Sequence, residues 1–272
     1  MKPIFIKSIS GNIFGLYHLP PNQATVKRNI LFIPPFAEEL NRSRHMINRQ
    51  ARAFTEAGYG VFILDLFGTG DSEGTFGEAS PHIWQQDILA AVSWLAERAD
   101  TPPILWAMRT GALIAADLVQ QYPDLTDQMI LWSPVSNGKK FLNQYLRIKL
   151  AAEVTNQQNN PKTTLKDLWA SSESGQILEI AGYDLSPELI KELSALSLNT
   201  IRLPQTVSVK WIEISLNTPA EPSLSSQKVI DAWKKDNIEV YIAPVNDITF
   251  WILQEPEWAD IYINQTMALL KK

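Results

Sequence analysis

Short apolar runs and amphipathic stretches take turns along most of this chain, and few architectures accommodate that order. NILFIPPF (Asn29–Phe36) and YGVFILDL (Tyr59–Leu66) are nearly continuous apolar segments, the pattern of strands buried on both faces. Between them Met46–Ala57 carries helical spacing and stops at Gly58, a residue suited to a helix C-terminus. The unit repeats: helix Pro81–Arg98, strand Ile104–Met108, helix Gly111–Tyr122, strand Met129–Val135. Strands that alternate with helices in this way predict a mostly parallel sheet with helices on both faces. Ahead of these units, PIFIKSIS and NIFGLYHL meet at Gly11-Asn12 and predict a β-hairpin.

The rhythm breaks after Pro134. Residues 137–205 read as helices and polar linkers, NQQNNPKTT among them, without a convincing buried strand. It then resumes with strand Ser208–Ser215, helix Ser225–Asn237, strand Glu239–Pro244 and helix Glu257–Leu270. Because the last two strands need the first sheet to bury them, the expectation is one α/β domain of residues 1–136 and 206–272. Residues 137–205 form its helical cap insertion, over the sheet edge where ligands bind in open α/β sheets.

Composition removes whole classes of function. There is no Cys in 272 residues, hence no disulfide, thiolate metal site or cysteine nucleophile. With 24 Lys and Arg against 29 Asp and Glu, the net charge of −5 gives no electrostatic case for nucleic acid or an anionic membrane. The opening MKPIFIKSISGN lacks the pattern of a signal peptide and no apolar run is long enough to span a bilayer, so a soluble, cytoplasmic protein is expected. Gly68–Gly74 has no following Lys-Ser/Thr and is not a phosphate-binding loop, and no His/Asp/Glu spacing suggests a metal cage. No cofactor or metal is expected.

Three local sequences carry a family resemblance. PPFAEE follows the third strand, AGYGVFILDLFGTGDSEG spans the fourth strand and its turn, and LWAMRTGALIAADL crosses from the fifth strand into a helix. Together with the element order they resemble the α/β-hydrolase superfamily, whose nucleophile sits in a G-x-S-x-G turn and whose triad runs Ser, Asp or Glu, then His. More narrowly, PPFAEELNRSRHM, LWAMRTGA and ILEIAGYDLSPELIKEL are similar to the second hydrolase-like protein of exosortase A-associated systems. That resemblance implies an exopolysaccharide or surface-protein setting and an ester- or acyl-directed hydrolase label.

The residues depart from the family where chemistry is decided. The elbow reads Ala107-Met108-Arg109-Thr110-Gly111, with Arg109 in the nucleophile position. A guanidinium has five donors, no accessible lone pair and a pKa above about 12, so it cannot attack a carbonyl. The three histidines, His18, His45 and His82, all precede the elbow, and the loop Pro244–Trp251 after the last strand has none. Glu221 is left as a vestigial acid without a base to orient. A substitute pair of Ser133 and His45 is conceivable at the sheet's mouth, against the plainer reading of a strand-end serine and a solvent-facing histidine. Thr110 adjoins the elbow with its side chain directed away.

Arg109 at a helix N-terminus needs an anion nearby. Glu38 and Glu39, placed in the loop after the third strand, are the nearest by topology. Two readings stay open: an ion pair filling a retired active site, or a site binding an anionic group of a small-molecule ligand. Phe36, Ala37, Glu38, Glu39, Arg109, Thr110, Phe250 and Trp251 are the expected lining, with Trp169 as a further candidate. Trp84, Trp94, Trp106, Trp132, Trp211 and Trp233 are expected in the core. The two function classes are therefore a ligand-binding pseudoenzyme and a hydrolase or acyltransferase with a non-standard nucleophile.

Overall fold

The computed structural model describes residues 1–21, 25–155 and 163–271. Its centre is an eight-stranded sheet. Strands β1 (Lys2–Lys7) and β2 (Asn12–His18) form the hairpin, followed by β3 (Asn29–Ile33), β4 (Gly60–Leu64), β5 (Ile104–Met108) and β6 (Gln128–Trp132). Two three-residue strands, β7 (Leu178–Ile180) and β8 (Tyr183–Leu185), pair only with each other, and β9 (Ser208–Ile214) and β10 (Glu239–Val245) complete the main sheet. Its order is β1-β2-β4-β3-β5-β6-β9-β10, antiparallel as far as β4 and parallel beyond. Strands β3 to β5 are buried at every position, as strands covered on both faces must be.

Helices α1 (Glu38–Glu56) and, at the chain's end, α8 (Asp260–Leu270) cover one face. The other is covered by α2 (Pro81–Ala96), α3 (Thr110–Gln121) and, following β9, α7 (Leu224–Lys235). The segment between β6 and β9 supplies α4 (Gly138–Thr155), α5 (Leu165–Glu173) and α6 (Pro187–Ala195). Leu142, Leu146, Leu168, Leu189 and Leu193 of these helices are buried in one continuous core with α2 and α3. Part of the polar linker NQQNNPKTT, residues 156–162, lies outside the described residues.

Two expectations need correction. Helix α1 starts at Glu38, eight residues before the expected Met46, so Glu38 and Glu39 are its first turn and not a loop. Leu40, Ser43, Met46, Ile47, Gln50, Ala51 and Phe54 form one buried stripe. The polar residues EELNRSR had hidden its first two turns, and the acidic first turn suits the helix dipole. The insertion also contains strand structure, the β7–β8 hairpin, where none was expected. Its three-residue strands are too short for a periodic signal, and its turn places Ala181 (φ 52°) and Gly182 (φ 84°) in the left-handed region. Of the expected core tryptophans, Trp84, Trp106, Trp132, Trp211 and Trp233 are buried. Trp94 is half-buried, stacked on Phe62 at 5.0 Å and edge-on to Tyr17.

Candidate functional site

At the C-terminal edge of the parallel strands the chain turns from β5 into α3 through Arg109, with φ 54° and ψ −117°. Such a conformation is costly for a residue with a Cβ, of order 1–3 kcal/mol, and persists where surrounding structure enforces it. Arg109 N donates to Trp132 O, and Val135 N and Ala112 N donate to Arg109 O. Gly111 lets α3 approach β3: a Cβ there would lie 2.5 Å from Pro34 O and 2.6 Å from Ile33 O. The sharp elbow is thus intact although its central residue has no nucleophilic atom. Ala37, at the start of α1, has nearly the same backbone, φ 51° and ψ −127°.

The Arg109 side chain is held by three elements. Nε and Nη2 donate to Glu39 Oε1 at 3.2 and 3.1 Å, Nη1 donates to Ser133 O at 3.1 Å, and the guanidinium carbon lies 5.0 Å from the Trp251 ring centroid. Glu38, one residue away on α1, points elsewhere: its carboxylate accepts from Tyr183 Oη at 3.1 Å and stands 3.6 Å from Arg42 Nε. Glu39 is largely buried, its side chain 17% exposed. Burial pushes its carboxyl pKa upward, while the Arg109 charge and hydrogen bonds pull the other way. Among the described residues its Oε2 has no hydrogen-bond partner, nor has the buried Tyr145 hydroxyl of α4.

The structure does not bring Ser133 and His45 together. His45 Nε2 bonds to Glu257 O at 2.8 Å and its ring packs edge-on to Trp258 and Phe250. Ser133 Oγ lies 3.0 Å from the hydroxyl of fully buried Tyr262, which spends its single proton on Ile212 O. The serine therefore donates to the tyrosine and accepts from Ile214 N at 3.3 Å. Burial pushes the Tyr262 pKa further up, so the phenol is no base for Ser133. Glu221 is exposed, and its backbone N donates to Ser215 Oγ.

A cavity of about 290 Å³ opens beside Arg109. Ser133, Ser136, Asn137, Lys140, Gln144, Glu213, Ser223, Ser225, Ser226 and Trp251 line it with Arg109, so hydroxyl and amide groups dominate its wall. Glu213, Lys140 and the serines of α7 are site residues that the sequence reading missed. Glu213 sits on β9 in the face shared by Trp211 and Ser215; its Oε2 accepts from Trp211 Nε1 at 3.0 Å and its Oε1 from Ser223 N at 3.2 Å. A carboxylate near the C-terminal end of a buried strand was the signal that could have found it.

Several expected lining residues face elsewhere. Phe36, Ala37 and Thr110 border a crevice on the other side of the elbow that measures only about 10 Å³, at the lower limit for a single water. Phe36 is packed edge-on against Phe76, Trp84, Phe141 and Tyr145, so aromatic rings plug that side. Phe250 is a core residue, 1% exposed, against Trp132 and Tyr262. Trp169 lines a different cleft, with Glu188 and Lys191, and donates to Asn143 Oδ1. Among the described residues no group of three or more His, Asp or Glu side chains is placed to hold a metal ion, and no helix is long and apolar enough to cross a membrane.

Comparison with known proteins agrees with this fold. The family model described as serine aminopeptidase, S33 matches residues 24–199. Est1E from Butyrivibrio proteoclasticus, with ferulic acid bound, superposes with a TM-score of 0.68 at 14% identity, covering 98% of either chain. The α/β hydrolase GrgF from a Penicillium species gives 0.64 at 15% identity over 99% of this chain and 97% of its own. A hydrolase-like protein from Agrobacterium vitis gives 0.60 at 16% over 98% and 97%. At such identities the likeness establishes the α/β-hydrolase fold alone. No curated protein matches the chain.

Proposed function

We propose that this chain, which belongs to the serine aminopeptidase S33 family of α/β hydrolases, does not hydrolyse esters or amides and instead binds a small polar ligand in the cavity beside Arg109. The observation that carries the reading is Arg109 itself. It occupies the strained elbow position from which a nucleophile would attack, and its bonds to Glu39 and Ser133 O hold it there. Among the described residues no histidine lies at the elbow: His18 is on β2, His82 is on α2 and His45 is bonded to Glu257 O, while the Ser133 hydroxyl is committed to Tyr262. The alternative, a hydrolase or acyltransferase using Ser133, has no histidine beside that hydroxyl, whose proton goes to the neutral Tyr262. The plugged crevice behind Phe36 also removes room for an acyl group on that side.

The division into a core of residues 1–136 and 206–272 and a cap of residues 137–205 belongs to this proposal. So do a cytoplasmic location and a place in exopolysaccharide or surface-protein production, the latter resting on the three exosortase-associated local sequences alone. A fluorophosphonate probe read by intact mass tests the non-hydrolytic reading. No adduct on the folded protein is expected; stoichiometric labelling that disappears on denaturation would establish an activated hydroxyl and overturn it.

A further inference from the structure

Arg109 stands between two environments. On one side is Glu39, largely buried, with one carboxylate oxygen bonded twice and the other, itself shielded from solvent, without a partner among the described residues. On the other is the cavity, where Lys140 is the second cation and Glu213 the carboxylate among the described lining residues. Of the five guanidinium N–H groups, three are used on Glu39 and Ser133 O. The rest of the wall offers serine hydroxyls and the amides of Asn137 and Gln144, groups that match a hydroxylated ligand.

We propose that the ligand is a small hydroxylated oxyanion that shares Arg109 with Glu39, and that Glu39 takes up a solvent proton when it binds. The proposal rests on the binding reading above and names its ligand class. An anion held by Arg109 is a like charge set close to the Glu39 carboxylate, and it divides the one cation that compensates that buried group. Protonating Glu39 removes the repulsion, releases Arg109 to the ligand and converts the carboxyl into a hydrogen-bond donor. The direction in which burial already moves Glu39 favours the same outcome.

Besides Arg109, the ionisable group that interacts with Glu39 is Tyr145 on α4; Arg42 and Tyr183 on β8 engage Glu38, and Tyr262 and Glu213 lie beyond Arg109. The arginines keep their charge. Burial pushes all three phenols up, Tyr183 to about 12 with help from its bond to Glu38, so they stay neutral near pH 7. Glu38 and Glu213 are separated from Glu39 by their own substitutions.

Gluconate and sulfate, neither of which titrates near neutral pH, are the probes, with sorbitol as the uncharged counterpart of gluconate. Calorimetric titration in two buffers of different ionisation enthalpy counts protons. Both anions are expected to bind, sorbitol at least tenfold more weakly, with uptake approaching one proton and affinity rising up to about tenfold per unit fall in pH. Glu39→Gln removes the uptake and the pH dependence, Glu38→Gln and Glu213→Gln keep the uptake, and Arg109→Met abolishes anion binding. A stronger response to one anion distinguishes a carboxylate from a tetrahedral head group. Equal binding of sorbitol, or no binding of either anion, overturns the ligand class. Anion binding without proton uptake, measured on the unmodified protein, overturns the role of Glu39. Failure of the parent reading shows separately, as labelling by the fluorophosphonate.

Discussion

Replacing Arg109 by Met keeps the length and apolar stem of the side chain and removes its charge, leaving Glu39 enclosed without a cation. Breaking a buried ion pair by removing one partner costs about 3–5 kcal/mol. The two side chains here retain 20% and 17% of their exposure, so solvent recovers part of that and the expected loss at pH 7 is about 2–3 kcal/mol. In a chain of this size that lowers the melting temperature by about 4–10 °C. The loss depends on pH in a stated direction. Without the arginine nothing opposes the effect of burial, so the Glu39 carboxyl holds its proton more tightly in the folded than in the unfolded state. Near pH 4, at the ordinary carboxylate range, the protonated group is tolerated and the variant is close to the parent protein. As pH rises through the raised folded value the stability is lost, and above it the full penalty applies. Chemical denaturation of both proteins at pH 4.5 and 7.5 reads this, and the double variant with Glu39→Gln recovers about 1–2 kcal/mol relative to the sum of the singles. A loss that is the same at both pH values, or additive singles, would refute the view that Glu39 and Arg109 act as a buried charge pair.

Arg109→Gly loses the same pair but relieves the backbone, so it is expected to be about 1 kcal/mol more stable than Arg109→Ala in the same denaturation assay. Arg109→Ser supplies a hydroxyl without a base; its turnover of p-nitrophenyl acetate stays at the rate of buffer, and a saturable rate above it would contradict the site as described. Gly111→Ala drives a Cβ into the carbonyls of Ile33 and Pro34, which backbone cannot readily yield, and costs about 2–3 kcal/mol by thermal unfolding. Asp87 is raised by burial against the pull of its bonds, including one from Phe67 N, and its contribution to stability is therefore full below about pH 4 and lost as pH rises through its folded value. Asp87→Asn should flatten that part of the stability–pH curve; an unchanged slope would show that Asp87 is not responsible for it.

How the site is assembled illustrates what periodicity can and cannot convey. Arg109, Glu38 and Glu39 are adjacent to strand ends in the sequence, so topology alone puts them at one edge of the sheet. Topology does not choose between the glutamates. That choice follows from α1 starting at Glu38: successive helical residues point about 100° apart, so Glu39 meets the elbow and Glu38 meets Tyr183. Placing the pair in a loop left the choice open. Phe250 and Trp251 show the same limit, since they are neighbours in an irregular segment, yet one ring enters the core and the other lies beside the guanidinium.

The amino-acid sequence by itself determined the alternation of strands and helices, the interruption after β6, and the absence of a nucleophile from the elbow and of a histidine from the last loop. These are local facts, carried by residue type and by periods of two and 3.6. Tertiary structure alone decided that Ser133 pairs with Tyr262 and not with His45, that Glu39 is the partner of Arg109, and that the space lies on the Lys140–Glu213 side of the elbow while the Phe36 side is closed. Each of those outcomes depends on side chains from elements distant in the chain competing for the same few ångströms, and volume and hydrogen-bond geometry settle that competition only once the sheet and helices are packed.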